Sequence, residues 1–228
     1  MENTSVKQIK TSIYKGLAKI LGIVLLLVGI GAVYGGTFAG SFIEEQLGAQ
    51  EITMPDEDSI NGQLEGGRIT QEDADALLPY AGEPMTNGNQ AQAFANHYIQ
   101  AHMKAGAAGA GYPDATYSSL GGAYNEKEAA LIEELTADNP SADEDTISRM
   151  AAAEIANPMT EYQSARDAAA LEDLRHGTFL DGNTLRGMLL NAYGWGIVGT
   201  VALWAGVVLI IAGVALAVYG FIPAKKTA

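Results

Sequence analysis

Residues Trp195–Ile222 read WGIVGTVALWAGVVLIIAGVALAVYGFI, without one charged side chain. At about 1.5 Å per helical residue this stretch is long enough to cross a hydrocarbon layer of about 30 Å. Gly199, Gly206, Gly213 and Gly220 recur in it every seven residues. A second apolar run, residues 17–38, carries Gly22, Gly29 and Gly36 at the same interval. A seven-residue repeat drifts only about 20° around a helix, so each set forms one stripe. In lipid there is no hydrophobic force between helices, and close approach at small residues drives their association. The two stripes are therefore expected to face each other in an antiparallel hairpin, or else to face a neighbouring protein.

Charge divides the chain in the same way. Residues 39–192 hold 26 of the 27 acidic side chains and seven of the thirteen basic ones, a net of −19 in a chain whose total is −14. Such a surface repels phosphate backbones and excludes nucleic acid as a partner. The remaining bases are Lys7, Lys10, Lys15 and Lys19 at the start of the first run, and Lys225 and Lys226 after the second. The positive-inside rule then expects both termini in the cytoplasm and residues 39–192 outside the plasma membrane. Past Lys19, neither run carries an acidic or basic residue, which argues against an ion path of its own. The alternative for the N-terminus is a cleavable signal peptide. The first run is long for that, and no clean Ala-x-Ala site follows it.

The chain has no cysteine, so an outer domain has no disulfide framework and no thiolate chemistry. In order, the sequence predicts a cytoplasmic tail at 1–16, a span at 17–38 ended loosely by Gly35, Gly36 and Gly40, and irregular structure over 41–69. Turns are expected around Pro55–Asp58 and at Gly62, Gly66 and Gly67, with a short extended piece at Glu51–Met54. Thr70-Gln-Glu-Asp73 marks a helix start, stopped by Pro79. A helix over 87–104 places Ala91, Phe94, Ala95, Tyr98, Ile99 and Met103 on one face, with Gly106 as its C-cap and a small-residue linker to Gly111. Tyr117 opens a segment that Gly121-Gly122 breaks, and the next helix covers 125–137. Ser141-Ala-Asp-Glu144 matches a capping box for a helix to Ala156, and Thr160 caps another that ends near His176-Gly177. Asn183 or Thr184 starts the last helix, whose apolar face of Leu185, Met188, Leu189 and Ala192 leads into the span at 193–222. That helix is expected to be about 40 residues long, half of it standing above the membrane as a stalk. Tyr193 and Trp195 suit the outer interface as anchors, and residues 223–228 form the C-terminal tail. The fold class expected is an all-α membrane protein, with two antiparallel transmembrane helices and a small, mainly helical extracytoplasmic domain inserted at 39–192. The helical faces of that domain are rich in alanine, so its core is expected to be thin.

Catalytic constellations are absent from the pattern. His97 and His102 are five apart, not the four of a zinc-binding His-x-x-x-His pair. A facial triad from His97, His176 and an acid has no spacing to support it. Asp56-Glu57-Asp58 and Asp143-Glu144-Asp145 fail the calcium-loop pattern, which from Asp56 would need glycine at Asn61 and glutamate at Gly67. No catalytic residue, metal ligand or cofactor is assigned.

Five stretches resemble one family: Ile52-Thr-Met-Pro55; Tyr80-Ala-Gly82; QAQAFANHYIQAHM over 90–103; Thr116-Tyr-Ser118; and GNTLRGMLLNAYGW over 182–195. Together they are similar to actinobacterial two-span membrane proteins often labelled aromatic ring-opening dioxygenases. The residues present supply no iron site to match that label. An alanine- and acid-rich stretch, about 121–175, departs from the family pattern. The resemblance implies an accessory subunit of the respiratory supercomplex that joins the cytochrome bc complex to cytochrome oxidase. The readings are then a non-enzymatic subunit of a membrane complex, a free-standing envelope module with an outer ligand site, or a membrane-bound metalloenzyme.

Overall fold

The structure, a computed structural model, describes residues 2–222, with side chains from residue 9 onward. The tail at 223–228, with Lys225 and Lys226, and the side chain of Lys7 lie outside the described residues. Nine α-helices are present among them: α1 Glu2–Gly48, α2 Glu57–Glu65, α3 Gln71–Leu77, α4 Gly88–Ala93, α5 Gln100–Gly109, α6 Tyr117–Asp138, α7 Glu144–Ile155, α8 Gln163–Asp173 and α9 Asp181–Phe221. Wider π turns, Phe94–Ile99 and Leu174–Leu180, connect α4 to α5 and α8 to α9. The described residues hold no strand. Thr53 and Pro84 form one isolated antiparallel bridge, where a short extended piece is expected.

Two helices are long and apolar enough to cross a membrane by length and composition. Their apolar windows are only 17% and 11% buried, unlike the core helix of a soluble protein.

The chain divides into two compact units. Among the described residues the first holds 2–52, 85–89 and 191–222, hence all of α1 and most of α9. α1 does not stop near residue 40 but runs on to Gly48. Ile43 and Leu47 continue its buried face, and burial offsets the roughly 1 kcal/mol that each helical glycine costs. Glu51, at φ 52°, then turns the chain.

The second unit holds residues 53–84 and 90–190. Its start is helical where irregular chain is expected, because Asp56 caps α2 by accepting from the Ser59 N–H at 2.8 Å. Gly67, at φ 67°, follows that helix. Thr70 and Asp73 form the expected capping box on α3. α5 does not end at Gly106 but runs to Gly109, and the left-handed residue is Gly111, at φ 89°. Gly121-Gly122 does not break α6. A side chain at 121 would stand 3.3 Å from the Arg175 guanidinium, so glycine there makes room for a packed arginine. α7 is capped by Asp143, not Ser141, through the Thr146 N–H at 2.8 Å. Thr160 does not cap α8. Its hydroxyl donates to Glu154 at 2.6 Å, and Tyr162 takes the cap position without a side-chain bond. No break falls at His176-Gly177 and no new start at Asn183 or Thr184. The π turn carries the helix through, and its wider winding brings Phe179 into the same core cluster as Leu171. Of the expected face Leu185, Met188, Leu189 and Ala192, Leu189 is buried while Leu185 and Met188 are exposed.

The unit's interior is two small clusters. One gathers Met103, Ala107, Leu120, Leu171 and Phe179, the other Leu131, Leu135, Ile147, Ala151 and Ala165. The most extensive packing is α6 against α8, where alanine lets the backbones come close. Polar ties hold the same pair: Lys127 Nζ to Asp167 at 2.8 Å, Ser164 Oγ to Glu134 at 3.1 Å and the Tyr162 hydroxyl to Asp138 at 3.0 Å.

Candidate functional site

In the first unit the seven glycines of the heptad stripes lie against the opposite helix. A methyl group built on Gly22 would stand 2.6 Å from Ala217 N and 2.8 Å from Gly213 O. On Gly29 it would meet Gly206 O at 2.8 Å and Ile210 N at 2.9 Å, and on Gly36 it would meet Gly199 O at 2.5 Å and Leu203 N at 2.7 Å. From the other side, Gly199 faces Ala39 Cβ at 3.0 Å, Gly206 faces Gly29 O at 2.7 Å, and Gly213 faces Gly22 O at 2.8 Å. Gly220 faces Lys19 N at 2.8 Å and Lys15 O at 2.9 Å. Apart from Ala39 Cβ these are backbone neighbours, which cannot rotate away as a flexible side chain can. Gly16, Gly31, Gly35, Gly40 and Gly194, which are off the stripes, have nothing within 4 Å.

One end of the seam carries cations. Lys15 Nζ donates to Ile222 O at 2.6 Å and stands 5.7 Å from the Tyr219 ring centroid. Lys19 Nζ lies 4.8 Å from the Phe221 ring centroid. Near the other end Gly88, which the sequence pattern does not mark, touches the α9 backbone, with Tyr193 Cα 2.9 Å from where its Cβ would be. Tyr193 is half-buried and Trp195 is exposed.

In the second unit a cleft of about 600 Å³ opens between α3 and the α4–α5 helix. Its lining includes Arg68, Asp73, Asn96, His97, Gln100 and Lys104. His97 Nδ1 lies 3.0 Å from Asp73 Oδ1. The Thr70 N–H and hydroxyl donate to the other Asp73 oxygen at 3.0 and 2.7 Å. Burial pushes the Asp73 carboxyl up, but the Thr70 hydrogen bonds and the neighbouring His97 outweigh it and hold it below the usual range.

Arg186 secures the back of this region. Its Nε donates to Ala95 O at 3.0 Å, inside the π turn, where the wider winding leaves a carbonyl free to take a second donor. Its Nη2 donates to Asn96 Oδ1 at 3.1 Å and to Gln100 Oε1 at 3.0 Å. Burial pulls this guanidinium down from its ordinary range. Sequence reasoning set Arg186 near the outer headgroups and gave Asn96 and Gln100 no role of their own. The available signal was a lone base between Arg175 and the uncharged span.

The three histidines do not converge. His97 pairs with Asp73, His102 Nδ1 bonds Tyr98 O at 2.7 Å, and His176 lies 3.4 Å from Glu172. No group of three or more His, Asp or Glu residues is placed to hold a metal ion among the described residues. The acidic runs Asp56–Asp58 and Asp143–Asp145 are helix starts.

The chain matches no protein-family model, no curated protein and no solved structure.

Proposed function

We propose that this chain is a non-enzymatic subunit of a larger membrane complex. In this reading α1 and α9 are antiparallel transmembrane helices, both termini are cytoplasmic, and residues 39–192 lie on the outer face. The glycine seam carries the reading. Contact positions rise from 22 to 36 along α1 as they fall from 213 to 199 along α9, backbone against backbone. That is the packing expected where lipid replaces water and only van der Waals fit holds helices together. Outside the seam, Ile20, Leu27, Tyr34, Trp204, Val208 and Ile211 are exposed. An apolar surface of this extent calls for lipid or protein to cover it. Lys15 and Lys19 at the α1 entry, with Lys10 one helical stretch earlier, favour a cytoplasmic end there.

The resemblance of the quoted boxes favours the cytochrome bc–cytochrome oxidase supercomplex as the context. Purification in mild detergent through a tag on this chain should then bring cytochromes in fixed proportion, read by visible absorption and mass spectrometry. Recovery of the chain alone would overturn this reading. The cleft beside His97 favours a second one, a free-standing envelope module with an outer ligand site. It predicts solitary recovery together with ligand binding.

A further inference from the structure

We propose that the cleft between α3 and the α4–α5 helix binds a small organic anion, with a carboxylate or phosphate head and a short apolar body. The inference starts at Arg186. A guanidinium has donors and no acceptor, so the atoms it meets must be oxygens. Its bonds to Asn96 Oδ1 and Gln100 Oε1 therefore fix both amides with their oxygens turned to Arg186 and their NH₂ groups turned from it. Neither NH₂ has a partner among the described residues, and both side chains line the cleft.

The cations agree. Of the seven bases between residues 39 and 192, five have side-chain partners: Lys127, Arg149, Arg166, Arg175 and Arg186. Arg68 and Lys104 have none among the described residues, in a unit crowded with carboxylates, and both line this cleft. The lining is thus rich in free donors. Asp73 spends its oxygens on Thr70 and His97, so Glu72 is the free carboxylate of the lining. Donors without matching acceptors select an oxyanion. Glu72 and the surrounding negative charge limit that anion to one or two charges. Ala101, Ala105 and Ala108 supply an apolar wall, and about 600 Å³ is ample for a small metabolite.

The test uses the full chain in detergent micelles, with inorganic phosphate, hexanoate and glycerol 3-phosphate as probes. Calorimetry should show saturable binding of at least one probe, and the side-chain amide resonances of Asn96 and Gln100 should shift with it. Arg68→Gln with Lys104→Gln should weaken binding about tenfold or more, since two charge-assisted contacts are lost. Both side chains are exposed and unpartnered, so the unfolding midpoint should stay put. Displacement by phosphatidylglycerol vesicles would identify a lipid headgroup as the source of the anion, and failure to displace would identify a free solute. No saturable binding of any probe up to tens of millimolar, or equal binding by the double variant, would overturn the proposal. Cytochrome recovery plays no part in this readout, so the site stands or falls apart from the assembly reading.

Discussion

At the scale of single residues, glycine positions separate by what faces them. Gly29 has Gly206 O at 2.8 Å where its Cβ would be, while Gly31 has open space. Gly29→Ala should therefore cost about 1–3 kcal/mol, because backbone must move to admit the methyl. Gly31→Ala should be neutral or stabilising by up to about 1 kcal/mol, since it removes a poor helix former without a clash. Thermal unfolding in detergent should fall for Gly29→Ala and hold or rise for Gly31→Ala. A common shift would contradict a packed seam.

Asp73 offers a second test at this scale. Its carboxyl titrates below the unfolded-chain value, so its contribution is present above about pH 4 and is lost as the pH falls through the lower folded value. Asp73→Asn should lower the unfolding midpoint at neutral pH and flatten the loss of stability on acidification. An acid profile parallel to that of the unsubstituted chain would rule out this role.

At the scale of elements, spacing was legible where it repeats and opaque where one residue changes the winding. Seven-residue glycine intervals project onto one helix face in any regular helix, so the seam residues can be read from the chain. Thr70 and Asp73 are legible as a capping box for the same reason of fixed spacing. A π turn leaves no such signature. Phe94–Ile99 and Leu174–Leu180 hold ordinary helix residues, and only the packing of Ala95 with Arg186 and of Phe179 with Leu171 shows why each widens. Caps slipped where two good candidates stand close together, as with Ser141 and Asp143. Glycine pairs misled for a related reason: Gly121-Gly122 looks like a break until Arg175 is seen against Gly121. Gly122 has open space around it, so Gly122→Ala should stabilise α6 by about 0.5–1 kcal/mol. Arg186→Met should cost about 2–4 kcal/mol, because it strands Ala95 O, Asn96 Oδ1 and Gln100 Oε1 together. Chemical unfolding of both variants checks these values. A neutral Arg186→Met would remove the arginine as the tie across the π turn.

At the scale of the whole molecule, sequence and structure agree on an all-α chain with two long apolar helices, and composition assigns the charge to the middle. Twenty-six acidic side chains lie in residues 39–192, while the ends of the chain are basic. The anion-selective cleft could not be read from that composition, because it depends on which few donors escape the surrounding carboxylates. The central claim is that the glycine stripes pair α1 with α9 in opposite directions. The chain lacks cysteine, so an introduced pair reports without background. A Cβ on Gly199 would lie 3.0 Å from Ala39 Cβ, close enough for a disulfide with slight adjustment. In native membranes Ala39→Cys with Gly199→Cys should cross-link on mild oxidation, and Ala39→Cys with Gly220→Cys, about 30 Å farther along the helix, should not. Cross-linking of the second pair and not the first would contradict the account.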